Sequence, residues 1–148
     1  YHNPVLLEAS VEGLNIIPNG TYVDVTFGGG GHSKAILNCL DISGRLLGFD
    51  QDADAFKNVL VDSRFDFIHS NFSNLSQYLK YHKVIPVEGI LADFGVSSHQ
   101  FNTRERGFST RLDARLDMRM NQSQPLNAFE IINNHKKTKG RNRKSWEN

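Results

Sequence analysis

Cysteine is almost absent: Cys39 stands alone among 148 residues. One thiol cannot close an internal disulfide or build a multi-cysteine zinc site, so both frameworks are excluded. No apolar run approaches the ~20 residues that a membrane helix needs. The opening Tyr1-His2-Asn3-Pro4 lacks the basic start and apolar stretch of a secretory signal. No internal repeat is visible. These absences predict a cytoplasmic protein with no metal site and no membrane contact. What is present, 39% hydrophobic and 22% charged residues, suits one soluble folded domain rather than a disordered chain.

The net charge of +1 conceals a split. Residues 1–134 hold eleven Lys and Arg against fifteen Asp and Glu, whereas 135–148 hold six basic residues and Glu147. That last stretch has no aliphatic residue and cannot form an apolar face. We read it as a disordered basic tail able to touch a phosphate backbone. A solvated tail, or the scar of a shifted reading frame, accounts for it equally well.

Before the tail, β-rich apolar runs alternate with helical patterns. Strands are predicted over Thr21–Phe27, Arg45–Asp50, Phe65–His69 and Glu88–Phe94, rich in β-branched and aromatic residues. Helical spacing follows from His32 to Leu40, from about Ala53 to Val61 behind Asp52, and around Leu75, Tyr78 and Leu79. This alternation predicts a parallel sheet covered by helices on both faces. Val96 to Asn121 is polar and rich in Arg and Asp, and reads as a long ordered loop or the start of an insertion. A helical pattern resumes over Pro125–Asn134.

The strongest chemical signal is a strand, then Phe27-Gly28-Gly29-Gly30-Gly31-His32-Ser33, then a helix. Glycines let a ligand approach the backbone, and a helix start offers unpaired N–H groups. A tight strand-to-helix turn with no ligand would use the same glycines. Asp50 ends the next strand, twenty residues after Gly30, where a carboxylate can accept ribose hydroxyls. The third small residue of a dinucleotide fingerprint is missing, because Ser33 stands there. Asp24, four residues before Gly28, would repel a pyrophosphate but suit a cationic amino-acid moiety. Together they favour S-adenosyl-L-methionine over a nicotinamide dinucleotide. Asp93 ends the fourth strand beside the same crevice, where it could accept an exocyclic amine or simply cap its own turn.

The chain resembles the N-terminal part of the MraW (RsmH) family of ribosomal RNA small-subunit (cytosine-N4)-methyltransferases. The resemblance rests on Tyr1–Glu8, Tyr22–Ser33, Gly48–Asp52, Leu91–Ser98, Arg106–Ser109 and Leu116–Met120. It implies a Rossmann-like class I methyltransferase fold of the α/β class, incomplete here, with S-adenosyl-L-methionine as cofactor and small-subunit ribosomal RNA as partner. Residues 1–95 would be the first part of the methyltransferase domain, 96–134 a loop with the start of a helical insertion, and 135–148 the tail. By motif position the cofactor would meet Gly30, Gly31, His32, Asp50, Phe72, Asp93 and Gln100, beside Asp24 and Gly28 from the reading above. Asp93 would be the catalytic residue. His99 replaces the proline usual before that glutamine, which implies a less rigid loop.

The family's chain is about twice this long, so the sequence reads as a truncated or frame-shifted copy. Two other functions stay beside methyl transfer. One is a non-catalytic remnant that binds cofactor or RNA weakly. The other is a nucleotide-dependent oxidoreductase, disfavoured by Ser33 and Asp24. Among lesser candidates, Cys39 is expected in the core, and Met118 and Met120 to pack the insertion. His32 is read either as a helix cap or as a cofactor contact. Arg104, Arg106, Arg111, Arg115 and Arg119 are read either as RNA-phosphate ligands or as a salt-bridged loop with Asp113 and Asp117.

Overall fold

The structure, a computed structural model, describes residues 4–134; the basic tail at 135–148 lies outside them. Four strands form one parallel sheet: β1 (Thr21–Asp24), β2 (Arg45–Asp50), β3 (Phe65–His69) and β4 (Gly89–Leu91), in the order β3-β2-β1-β4. Val23 stands opposite both Leu47 and Ile90, which sets the register at the centre. Neighbouring residues on a strand feed opposite faces. Tyr22, Leu46, Phe65 and Leu91 join Ile36, Leu37 and Leu40 on one side. Val23, Leu47, Phe49 and Ile68 join Leu79 and Val84 on the other. Burial on both faces explains why β1 and β2 read as continuous apolar runs rather than alternating ones.

Helices α1 (Leu7–Leu14) and α2 (Gly31–Cys39) cover the first face, and α3 (Leu75–Tyr81) the second. Helix α1 has no counterpart in the sequence reading, although Leu7, Val11 and Leu14 recur at helical spacing. The carbonyls ending α2 are met by Arg64, whose guanidinium donates to Leu37 O at 3.0 Å and Leu40 O at 2.6 Å. Two short helices follow the sheet, α4 (Ser98–Asn102) and α5 (Ala128–Asn134).

Several expectations need correction. Strand β1 ends at Asp24 rather than Phe27, because the Asp24 carboxylate takes the Thr26 N–H out of the ladder at 3.0 Å. The helix expected over 53–61 is a 3₁₀ turn over Ala53–Asn58, with Asp52 capping it through the Asp54 N–H. Beyond it, exposed β-branched Val59 and Val61 offer no buried face to prolong a helix. Strand β4 is shorter than predicted and pairs only with β1 among the described residues. Cys39 is exposed, not core, and Met118 is 45% exposed rather than packed.

Candidate functional site

The residues expected to meet the cofactor, apart from Gln100, lie at or just past the carboxyl ends of the strands or at the start of α2, as open parallel sheets favour. Asp24 is wholly buried there. Its Oδ2 accepts the Ser33 hydroxyl at 2.7 Å, and its Oδ1 accepts the Thr26 N–H. Burial pushes its carboxyl upward, against the hydrogen bonds from Ser33 and Thr26. In this arrangement Asp24 presents no oxygen to the crevice; it fastens the end of β1 to the start of α2. The Thr26 hydroxyl accepts the Asp93 N–H at 2.8 Å, which ties the end of β4 to the end of β1. Sequence reasoning passed over Thr26, and its only signal was a hydroxyl inside the strand-to-glycine turn.

The glycine loop is tied next to β2. Gly28 N–H donates to Asp50 Oδ2 at 2.7 Å, and Asn58 Nδ2 donates to Gly28 O at 2.9 Å. Gly30, at φ 76°, holds a left-handed conformation, and a side chain there would strike the Phe27 ring. A Cβ on Gly29 would meet nothing within 4 Å, so the backbone there is open to approach. A Cβ on Gly31 would collide with the Pro4 ring. His32 is buried and its Nε2 lies 3.2 Å from Val5 O, so it tethers the segment before α1. Asp50 is half-buried; its Oδ1 accepts the Asp52 N–H at 2.9 Å.

Beyond β2, Asn71 Nδ2 donates to Gln51 Oε1 at 2.7 Å, drawing the β3 loop in. That loop carries Phe72, whose ring lies 5.4 Å from the ring of Phe94 after β4. Both rings are exposed, as is the Asp93 side chain. Hydrogen bonds therefore run across all four strand ends: Asp93 to Thr26, Thr26 to Asp24, Gly28 to Asp50, Gln51 to Asn71.

Gln100 stands apart from this crevice. It is buried, its Nε2 donates to Asp52 Oδ2 at 2.7 Å, and its Oε1 accepts the Ser97 N–H in a capping box. Arg106 joins it there, 2% exposed, donating to Asp52 Oδ2 at 2.7 Å and Asp54 Oδ2 at 2.8 Å. Burial pushes Asp52 up, but the bonds from Arg106 and Gln100 outweigh it and hold the carboxyl below its ordinary range. Arg119 pairs with Asp117 at 2.6 Å, Arg104 Nε donates to Asp113 O, and Arg115 lies over the Phe129 ring. Within the loop only Arg119 makes the expected pair, with Asp117; Arg106 is buried and pairs instead with Asp52 and Asp54 outside it, so it is closed to RNA.

The comparisons with known proteins point to one family. Ribosomal RNA small subunit methyltransferase H of Christiangramia forsetii is 59% identical over 135 residues, which cover 91% of this chain and 45% of that protein. The proteins of the same name from Flavobacterium johnsoniae and Bacteroides thetaiotaomicron are each 58% identical, with 45% and 44% of their lengths covered. The chain thus spans less than half the length of these curated relatives. A solved structure from Clostridium thermocellum, assigned as an rRNA-methylase, shares the fold at a TM-score of 0.50 and 23% identity, over 61% of this chain and 53% of that one. Nothing in these matches favours an oxidoreductase. With residues 1–140 matching the model of the MraW methylase family, the chain belongs to that family.

Proposed function

We propose that the crevice above the strand ends holds S-adenosyl-L-methionine and serves methyl transfer to the N4 amine of a cytidine in small-subunit ribosomal RNA. The observation that carries this reading is the hydrogen-bonded line of strand ends, which sets Asp50, the open Gly29 backbone, the exposed Phe72 and Phe94 rings and the Asp93 carboxylate along one edge. The names of the relatives support the reaction and the substrate class.

These residues fit such a cofactor. Asp50 uses one lone pair on each oxygen for Gly28 and Asp52, which leaves others to accept ribose hydroxyls. The open Gly29 backbone would let the cofactor approach the glycine loop, with His32 holding the segment before α1 through Val5 O. Phe72 and Phe94 offer aromatic faces to the adenine. Asp24 contributes from beneath, by fixing Thr26 and Ser33, and Gln100 contributes through Asp52. When bound, the sulfonium supplies an already electrophilic methyl group. Asp93, exposed beside the crevice, would accept a hydrogen bond from the target amine and take up the proton that the amine gives up on methylation. Positioning supplies most of the acceleration.

The test is calorimetry on the 148-residue chain. S-adenosylhomocysteine should bind and NAD should not. Asp50→Asn should weaken binding by about tenfold or more, the worth of a charged hydrogen bond. Tighter binding of NAD, or an unchanged affinity in the variant, defeats the assignment. Transfer of a labelled methyl group to small-subunit particles, set against a full-length relative, tests the reaction separately.

A further inference from the structure

We infer that Arg106 is a positioning residue for the candidate cofactor site: acting through Asp52, it holds the Asp50 carboxylate in the pose that accepts ribose. The inference rests on the cofactor reading above and adds to it a second segment of chain. Asp50 Oδ1 is aimed by the Asp52 N–H. The orientation of that peptide is set in turn by the Asp52 side chain, which accepts from Arg106, from Gln100 and from the Asp54 N–H. Arg106 also donates to Asp54, and to the carbonyls of Arg119 and Met120 at 3.1 and 2.9 Å. One guanidinium thereby joins the turn after β2 to the arginine-rich segment 96–120.

Its burial is informative because it is imperfect. Arg106 Nε has no partner among the described residues although the atom is shielded from water. Apolar side chains of similar volume would fill such a space without an unmet donor. What they would not supply is direction, since the planar fork fixes where two carboxylates sit. The geometry of Asp50 and the docking of residues 104–119 should therefore rise and fall together, and such coupling is reciprocal.

Two measurements on the full 148-residue chain decide it. The first compares S-adenosylhomocysteine with its 2′-deoxy and 3′-deoxy analogues in wild type and in Arg106→Lys, which keeps the charge but not the fork. In wild type, loss of the hydroxyl that meets Asp50 should weaken binding by about tenfold. In Arg106→Lys that penalty should shrink to about threefold or less. A merely structural role would lower all three affinities by the same factor and leave the ratio unchanged, and that result overturns the inference. The second uses wild type alone, so it stands even if the variant does not fold. Saturating S-adenosylhomocysteine should slow amide exchange within 104–119, and unchanged exchange there overturns the inference. Failure of wild type to bind S-adenosylhomocysteine at all is a different outcome, which sinks the cofactor reading and this inference with it.

Discussion

Asp24 is wholly buried at the end of a central strand, with two hydroxyl-bearing neighbours to satisfy it. Because burial raises its carboxyl, protonation of Asp24 is easier in the folded chain than in the unfolded one. Its contribution to stability is fully present below the ordinary carboxylate range and is lost as pH rises through the raised value. Asp24→Asn keeps the shape and an acceptor while removing the charge. It should leave the thermal midpoint at pH 7 equal to wild type or higher. Asp24→Ala strands the Ser33 hydroxyl and the Thr26 N–H, at about 1–3 kcal/mol, and should lower the midpoint by several degrees. Thermal melts of the two variants at pH 7 check both statements. An Asn variant as damaged as the Ala variant would show that the charge itself holds the turn.

Among the elements, the 3₁₀ turn Ala53–Asn58 has the most to hold. Asp54 is drawn down to about 2 by hydrogen bonds from Lys57 and His99. A lowered carboxyl contributes stability that is present above its ordinary value near 4 and lost as pH falls toward 2. The thermal midpoint of wild type should therefore fall between pH 4 and 2, and Asp54→Asn should flatten that limb. The segment facing the turn depends on Gly107, at φ 70°, where a Cβ would come within 2.6 Å of both Arg115 O and Asp117 N. Gly107→Ala should loosen 104–119, read as faster proteolysis there, while β2 and β3 keep their protection. Those two strands are legible to the residue, Arg45–Asp50 from its buried run and Phe65–His69 from its aromatic and β-branched residues. Strand β1 was overread, because a side chain capturing a backbone N–H leaves no trace in hydrophobic pattern. The glycine loop and Asp50 were legible because spacing alone brings them together across adjacent parallel strands. The Asp52–Arg106 pair was not: partners 54 positions apart lie among many other Asp and Arg residues, and sequence does not say which pair is buried.

On the scale of the whole molecule, β3 and β4 are the edges of the sheet among the described residues, and apolar side chains gather beside β4. Beside β4, Ile90 is 49% exposed, and Phe94, Val96 and Phe101 are exposed nearby. An edge strand with unpaired N–H and C=O groups and apolar neighbours invites another chain. Among the described residues no helix is long and apolar enough to cross a membrane. We expect size-exclusion chromatography at tens of micromolar to show species larger than a monomer. Ile90→Lys should move the profile toward the monomer, because a charge on an edge opposes pairing. A monodisperse wild-type monomer at that concentration would refute the expectation.

The contact between Pro4 and Gly31 has a consequence for how this sequence can drift. With no room for even a methyl group between them, the two positions share one allowance of volume although 26 residues separate them. A side chain can appear at 31 without a clash only after the ring at 4 has gone. Gly31→Ala alone should unfold earlier on heating than the same change made together with Pro4→Gly, a non-additivity that a double-mutant cycle would read directly.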